Sequence, residues 1–117
     1  MAKYECKLQG NFNQLLITIE MGILNGSMSA SLEESSNYST KDVKCAVRVY
    51  ERFSIIGKNR VSMSVVLIGE GDNLFLSAIT SGGSQAVFFK INTFGEEAFL
   101  TCLTKVIEKY KQTIIKK

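Results

Sequence analysis

Hydrophobic and polar residues alternate with a period of two along most of the chain, a pattern that predicts β-strands. The alternation is clearest from Val61 to Ile91, where the apolar runs stop at GEGDN and SGGS. Glycine, aspartate and asparagine favour tight turns, so this block predicts three antiparallel strands joined by hairpins. We predict two-residue turns at Asp72-Asn73 and Gly82-Gly83, and the resulting register divides the side chains between two faces.

The two predicted faces differ in polarity. Face A, the side of the sheet that carries Leu67 and Leu76, is largely apolar and is the predicted core. Face B, the side that carries Val66 and Phe75, mixes serines with large apolar residues. The predicted members of face A are Val65, Leu67, Leu74, Leu76, Ala78, Thr80, Gln85, Val87 and Phe89. The predicted members of face B are Ser62, Ser64, Val66, Ile68, Phe75, Ser77, Ile79, Ala86, Phe88 and Lys90.

Ahead of this block the chain predicts one helix and three more strands. Asn11 with Gln14 three residues later resembles a capping box, and apolar residues then recur at helical spacing up to Asn25-Gly26. Both residues of that dipeptide accept the left-handed conformation that ends many helices. The other predicted elements are strands at 2–9, 27–32 and 43–53 and a polar loop at 33–42.

A second, longer helix is predicted at the C-terminal end. Thr93 with Glu96 forms a capping box, and helical spacing continues to about Ile115. Its apolar stripe consists of Phe99, Cys102 or Leu103, Val106, Tyr110 and Ile114. The sequence therefore predicts an α+β fold with the order β-α-β-β-β-β-β-α, in which both helices pack on one face of an antiparallel sheet of about six strands.

The register of the strand at 43–53 is left open by the sequence. A two-residue and a three-residue loop within Gly57-Lys58-Asn59 place this strand's side chains on opposite faces. We favour the register that puts Val47 and Val49 on face A, with face A as the core.

A basic row lies on the other side of the same strand, formed by Lys44, Arg48 and Arg52 with Tyr50 among them. A solvated strand face is the simplest interpretation of this row. The alternative is a surface that meets an acidic partner, a ligand carboxylate or a phosphate. The net charge is only +3 and the chain has no Trp, so we do not expect nucleic-acid binding.

Composition and length predict one soluble domain spanning residues 1–117. The chain has a mass of 13.0 kDa, is 45% hydrophobic and 21% charged, and contains no Pro. It shows neither the apolar region of a signal peptide nor the run of about 18 apolar residues that a membrane span requires. We therefore expect a cytoplasmic protein without a membrane span.

Candidate catalytic chemistry is sparse. The chain has no His, so His-based nucleophile systems and the commonest metal ligand are missing, and no phosphate-binding loop motif occurs. Cys6, Cys45 and Cys102 are widely spaced and are predicted to be reduced core thiols. Glu70 with Asp72 is predicted to be a solvated turn. We expect no enzymatic activity, no cofactor and no metal site.

Two resemblances add to this picture. The element order resembles a shortened helix-grip fold, that of Bet v 1 and START-like proteins, and it is similar to the TATA-box-binding-protein-like fold. Nearly the full length also resembles a family of small uncharacterised bacterial proteins from Firmicutes, which carries no assigned activity. The resemblance is closest over GILNGSMSASLEESS, CAVRVYERFS and NRVSMSVVLIGEGDNLFLSAITSGGSQAVFFKINTFGEE.

Two helices can shield only one side of the predicted sheet, so face B is left with apolar side chains that need cover. We expect a self-associating binding module, and a two-fold homodimer is the default symmetry. The predicted interface residues are Val66, Ile68, Phe75, Ile79 and Phe88. The alternative is a carrier or sensor of a small hydrophobic ligand held between the second helix and face A. Its predicted site residues are Met63, Phe89, Phe99, Leu103, Val106 and Tyr110.

Overall fold

The structure is a computed structural model that describes the backbone of residues 1–27, 29–54, 59–82 and 89–115 and the side chains of residues 1–27, 29–53, 60–82 and 95–114. Five strands and two helices follow one another in the order β-α-β-β-β-β-α. The elements are β1 (Ala2–Gln9), α1 (Phe12–Gly26), β2 (Ser31–Ser39), β3 (Val43–Ser54), β4 (Asn59–Glu70), β5 (Asn73–Gly82) and α2 (Phe89–Ile115). The predicted α+β class is confirmed.

The strands form one antiparallel sheet in the order β1-β5-β4-β3-β2, with β4 in the centre. The predicted sixth strand is wrong where the structure describes it, because α2 begins at Phe89 and therefore includes Lys90 and Ile91. The rest of that prediction, from the turn residue Gly83 to Phe88 with Gln85, Ala86 and Val87, lies outside the described residues.

The predicted capping box of α2 is also wrong, because Thr93 and Glu96 lie inside the helix. Glu96 is instead buried, and its carboxylate forms an ion pair of 3.0 Å with the terminal ammonium of Met1. The capping residues alone could not show that the helix begins at Phe89, before the strongest capping signal in the sequence.

The turn between β4 and β5 differs from the prediction without changing either face. The turn residues are Gly71-Asp72, since Glu70 pairs with Asn73, and Gly71 has a φ of +60° that favours glycine. The pairing shifts by two residues relative to the predicted turn at Asp72-Asn73. Because side chains alternate with a period of two, a shift of two keeps every residue on its predicted face.

The predicted register of β3 is wrong. Val47 pairs with Val66 and Val49 pairs with Ser64, so both valines lie on face B. Face A instead carries the even-numbered residues of β3. These include the fully buried Tyr50 and the basic row. Four residues separate Ser54 from Asn59, a longer connection than either loop considered above.

The polar segment after α1 is a strand and not a loop. β2 begins at Ser31 rather than at residue 27 and continues through the predicted loop to Ser39, with a bulge between Leu32 and Glu34. It is an edge strand whose residues from Glu33 onward are exposed. Backbone pairing to β3 holds it, so its side chains do not need the apolar alternation that marks a buried strand.

Both helices pack on face A around one hydrophobic core, as predicted. The largest fully buried side chains are Tyr50, Phe99, Leu15, Ile19, Ile23, Met63, Leu67, Leu76, Leu103, Ile107, Val61 and Val65. The shortest dimension of the molecule is 21 Å, which suits two layers spaced about 10 Å apart. The described part of the chain is thus one sheet covered by helices on one side.

The N-terminus of α1 confirms the predicted cap and joins it to α2. The Asn11 side-chain oxygen accepts a hydrogen bond of 2.8 Å from the Gln14 backbone N–H. The Tyr110 hydroxyl of α2 accepts from the Asn11 N–H at 3.1 Å and donates to Gln14 Oε1 at 3.2 Å. A Cβ at Gly10 would lie 2.5 Å from this hydroxyl, so glycine is needed where the two helices meet.

Candidate functional site

Face B is the most extensive candidate surface in the described part of the chain. Strand pairing arranges its side chains in transverse rows, one residue from each strand. The first row contains Lys3, Ile79, Ser64, Val49 and Glu34. The second contains Glu5, Ser77, Val66, Val47 and Ser36, and the third contains Lys7, Phe75, Ile68, Cys45 and Tyr38.

The middle of this grid is apolar and open to solvent. Ile68 is 37% exposed, Ile79 is 42% exposed and Phe53, at the end of the same face, is 41% exposed. The other apolar members are half-buried, namely Val43, Cys45, Val47, Val49, Val66 and Phe75. Such a contiguous patch on a monomer marks a candidate interaction surface.

Of the predicted interface residues, Val66, Ile68, Phe75 and Ile79 lie together on face B, whereas Phe88 lies outside the described residues. Sequence reasoning missed the contribution of β3, because it placed the valines of that strand on face A. It also missed Tyr38, which was assigned to a loop and is 70% exposed on face B. Sequence periodicity could have found the β3 residues only with the correct loop length.

A recess of about 510 Å³ interrupts face B near β1. Its wall includes Ile68 and Phe75, with Lys7 and Glu70 at the rim. The recess extends from Lys7, Phe75 and Ile68 in the third row to the next residues of face B, and Tyr38 stands on the same face at the other end of that row.

The two lateral edges of face B carry different charges. On β1 stand Lys3, Glu5 and Lys7, and the Glu5 carboxylate accepts a hydrogen bond of 3.1 Å from Ser77. On the β2 side, Glu34 follows Glu33 in the chain. Glu33 and Glu51 share one cation, since Arg60 pairs with Glu51 at 2.9 Å and with Glu33 at 3.9 Å. One edge is therefore mainly basic and the other mainly acidic.

The predicted ligand site under α2 is filled by the core. Met63, Phe99 and Leu103 are fully buried and Tyr110 is 6% exposed, all within one cluster of packed side chains. Phe89 is the first residue of α2, and its side chain lies outside the described set. Val106 packs on the edge of the core and faces α1.

Two open grooves instead follow the seam between α1 and α2 on its solvent side. They share Gly22 and Val106, and a Cβ at Gly22 would clash with Val106 Cγ2. One, of about 360 Å³, also contacts Tyr110 and Ile114. The other, of about 660 Å³, is lined by Arg52, Lys105 and small residues.

The basic row lies on face A beside the helices, where Lys44 is exposed and Arg48 and Arg52 are half-buried, so only part of the row is a solvated strand face. Lys44 Nζ lies 5.9 Å from the centre of the Phe12 ring, and the Arg52 guanidinium lies 4.9 Å from that of Phe99. Arg52 also donates a hydrogen bond of 3.4 Å to Cys102 Sγ, and Arg48 donates to the Ser36 and Val47 carbonyls. Lys44 and Arg52 thus cover aromatic rings that α1 and α2 supply, with their stems and charged groups.

Tyr50 carries an unusual hydroxyl. The residue is fully buried between the sheet and the helices, and its hydroxyl has no hydrogen-bond partner among the described residues. Burial raises the pKa of this hydroxyl to about 12, and the charge of Glu20 adds to the rise while Arg48 opposes it. An unpaired buried hydroxyl costs about 1–3 kcal/mol.

We expect Tyr50→Phe to leave the free energy of unfolding unchanged or to raise it by up to about 2 kcal/mol, because no hydrogen bond is lost. The matched variant Tyr110→Phe should lower it by about 1–2 kcal/mol, since two hydrogen bonds at the cap of α1 disappear. Urea unfolding at neutral pH measures both. A loss above about 1 kcal/mol for Tyr50→Phe would show that the hydroxyl has a partner.

The Tyr50→Phe variant also gives a pH test against the wild type. The folded-state pKa of Tyr50 is raised, so the unfolded chain ionises first, near 10.0, and the free energy of unfolding falls as the pH rises towards 12. The contribution is about 2–3 kcal/mol. It should disappear in Tyr50→Phe, which makes the profile of this variant flatter between pH 10 and 12 than that of the wild type.

Other chemistry adds little to the candidate site. All three cysteines are free, and each is half-buried rather than fully in the core. Within the described residues, no group of three or more Cys, Asp or Glu side chains is placed to hold a metal ion. No helix in that part of the chain combines the length and apolarity needed to cross a membrane.

Comparison with known proteins gives a family without an assigned activity. No curated protein and no solved structure matches the chain. Residues 1–111 match a family of unknown function, DUF6054. The match covers both helices almost completely and all five strands of the sheet. The chain therefore belongs to the DUF6054 family.

Proposed function

We propose that this protein is a non-enzymatic binding module that self-associates through face B. The observation that carries the proposal is the open apolar patch of that face, where Ile68 and Ile79 in the middle and Phe53 at one end are each about two-fifths exposed. Both helices are committed to face A, so no described element is available to cover the other side. A second copy of the chain supplies cover of the required size and chemistry.

The dimensions of face B suit a dimer interface. Five strands spaced about 4.8 Å apart, with about ten residues each, make a surface of roughly 800 Å². A stable interface buries about 800 Å² on each partner. Aligned sheets pack face to face about 10 Å apart, so two copies would form a β-sandwich with the helices outside.

Face B is broad, and the recess in its described part is shallow, which suits a protein surface better than a small molecule. The lack of His and the spacing of the acidic residues support a non-enzymatic role. Three free cysteines fit a reducing compartment, so we also propose a cytoplasmic location.

The second candidate function is that of a carrier of a small apolar ligand. The groove of about 360 Å³ beside Val106 and Tyr110 favours it, because this groove lies between the helices and touches two residues of the predicted site. The filled core beneath α2 weighs against a helix-grip type of cavity. A rise in melting temperature with a long-chain fatty acid, lost in Val106→Asp, would support this function over the first.

Sedimentation velocity over a concentration series tests the proposed function. We expect a species of twice the 13.0 kDa chain mass to replace the monomer as the concentration rises through the micromolar range. A chain that stays monomeric up to about 1 mM would overturn self-association.

A further inference from the structure

We propose that two copies pack face B against face B about a two-fold axis that runs along β4, so that each β1 edge lies over the β2 edge of the partner. This inference rests on the proposed self-association and adds its geometry. β4 is the central strand. Rotation by 180° about an axis along β4 places β1 of one copy over β2 of the other and β5 over β3. Each transverse row then lies over the same row of the partner, in reversed order.

The first row shows electrostatic self-complementarity. Lys3 stands at one end of this row and Glu34 at the other, both are exposed, and the Lys3 ammonium also lies 4.0 Å from the Glu5 carboxylate of the same strand. Within one chain they are four strand spacings apart, roughly 19 Å, which is too far for an ion pair. Rotation about β4 reverses the row and places Lys3 of each copy over Glu34 of the other.

The third row shows steric self-complementarity. Tyr38 is 70% exposed at its β2 end, and the recess of about 510 Å³ lies at its β1 end. The same rotation brings Tyr38 of each copy over the recess formed by Ile68, Phe75 and Lys7 of the other. The tyrosine ring then packs on apolar side chains with the Lys7 ammonium beside it, a favourable pairing.

The β5 and β3 residues within the rows also fit an axis along β4. Phe75 of one copy lies over Cys45 of the other, and Ile79 lies over Val49, so larger side chains meet smaller ones. The crossing angle of aligned sheets, about 30°, displaces the edge strands by roughly 5 Å, which leaves these pairs within reach.

The other in-plane axis, perpendicular to the strands, is unfavourable. It would stack β1 on β1, with Lys3 over Lys7 and Glu5 over Glu5. Like charges placed directly opposite one another destabilise such contacts. The charge pattern therefore selects the axis along β4.

Charge exchange tests the axis. Lys3→Glu and Glu34→Lys should each raise the dimer dissociation constant about 5–30-fold at low salt, because every homodimer then contains two like-charge contacts. A mixture of the two variants should form heterodimers with a dissociation constant within about threefold of the wild type, since both contacts become attractive again. Native mass spectrometry resolves the three species if one variant is isotope-labelled.

Tyr38→Ala provides a second test that does not depend on charge. It should weaken the dimer about tenfold, whereas Asn37→Ala, on the opposite face of the same strand, should leave the dissociation constant within about twofold. A dimer that forms normally, shows no preference for heterodimers and tolerates Tyr38→Ala would overturn the axis and leave the proposed function standing. A monomeric wild type would overturn both.

Discussion

The double variant Val66→Glu/Phe75→Glu is expected to be a folded, soluble monomer at concentrations where the proposed dimer of the wild type should form. Both side chains lie in the apolar centre of face B and are half-buried in the single chain. In the proposed dimer the new carboxylate at position 75 would face Cys45, and the two carboxylates at position 66 would face each other across the axis, so both substitutions bury a charge at a cost of several kcal/mol per carboxylate. We therefore expect at least a hundredfold rise in the dissociation constant, measured by sedimentation velocity.

The matched control adds the same charge to the other side of the molecule. Ile17 and Met21 on α1 are 59% and 57% exposed, so Ile17→Glu/Met21→Glu changes two exposed apolar residues without touching face B. This variant should remain dimeric. Circular dichroism and the melting temperature confirm that both double variants are folded. Dissociation of the helix variant alone would move the interface to α1, and an unchanged mass for the face B variant would remove the case for the sheet.

Phe99→Ala is expected to cause the largest loss of stability among single substitutions of the core, about 3–5 kcal/mol. The ring is fully buried at the junction of α2 with the sheet, and the Arg52 guanidinium stacks on it. Removing the ring leaves a cavity. It also removes the aromatic partner of the half-buried Arg52 guanidinium. Urea unfolding at one fixed, low protein concentration measures the change.

Phe53→Ala is the control for this prediction, because it makes the same substitution on face B. Phe53 is 41% exposed, so its truncation should lower the free energy of unfolding of the single chain by about 1 kcal/mol or less. It should also weaken the dimer. Equal losses at the two positions would mean that face B is covered by residues of the same chain.

The strengths of the sequence interpretation lie where local signals agree. Asn11 with Gln14 and the helical spacing up to Gly26 predicted α1 with its cap, and strict alternation predicted β1, β4 and β5. The faces of β4 and β5 were also correct, although the turn was misplaced by one residue. Side chains alternate between the two faces with a period of two, so a register error of two residues leaves every side chain on its predicted face.

Sequence reasoning failed where non-local contacts decide the outcome. The basic row looked like a solvated strand face, since lysine and arginine usually stand in water. In the structure Lys44 and Arg52 lie over Phe12 and Phe99, rings that come from the two helices. No local pattern on β3 reports which aromatic side chains will be delivered to it from distant parts of the chain.

The sequence by itself determined the elements with strong periodicity and the antiparallel α+β class. It also determined that the sheet carries apolar side chains on the face that the two helices do not cover. Only the tertiary structure decided which side of β3 faces the helices, that a polar segment is the edge strand β2, and that α2 begins at Phe89. The physical reason is that periodicity is encoded by neighbours along the chain. Strand register at a loop of unknown length, and the pairing of a polar edge, depend instead on backbone hydrogen bonds and on contacts between residues far apart in sequence.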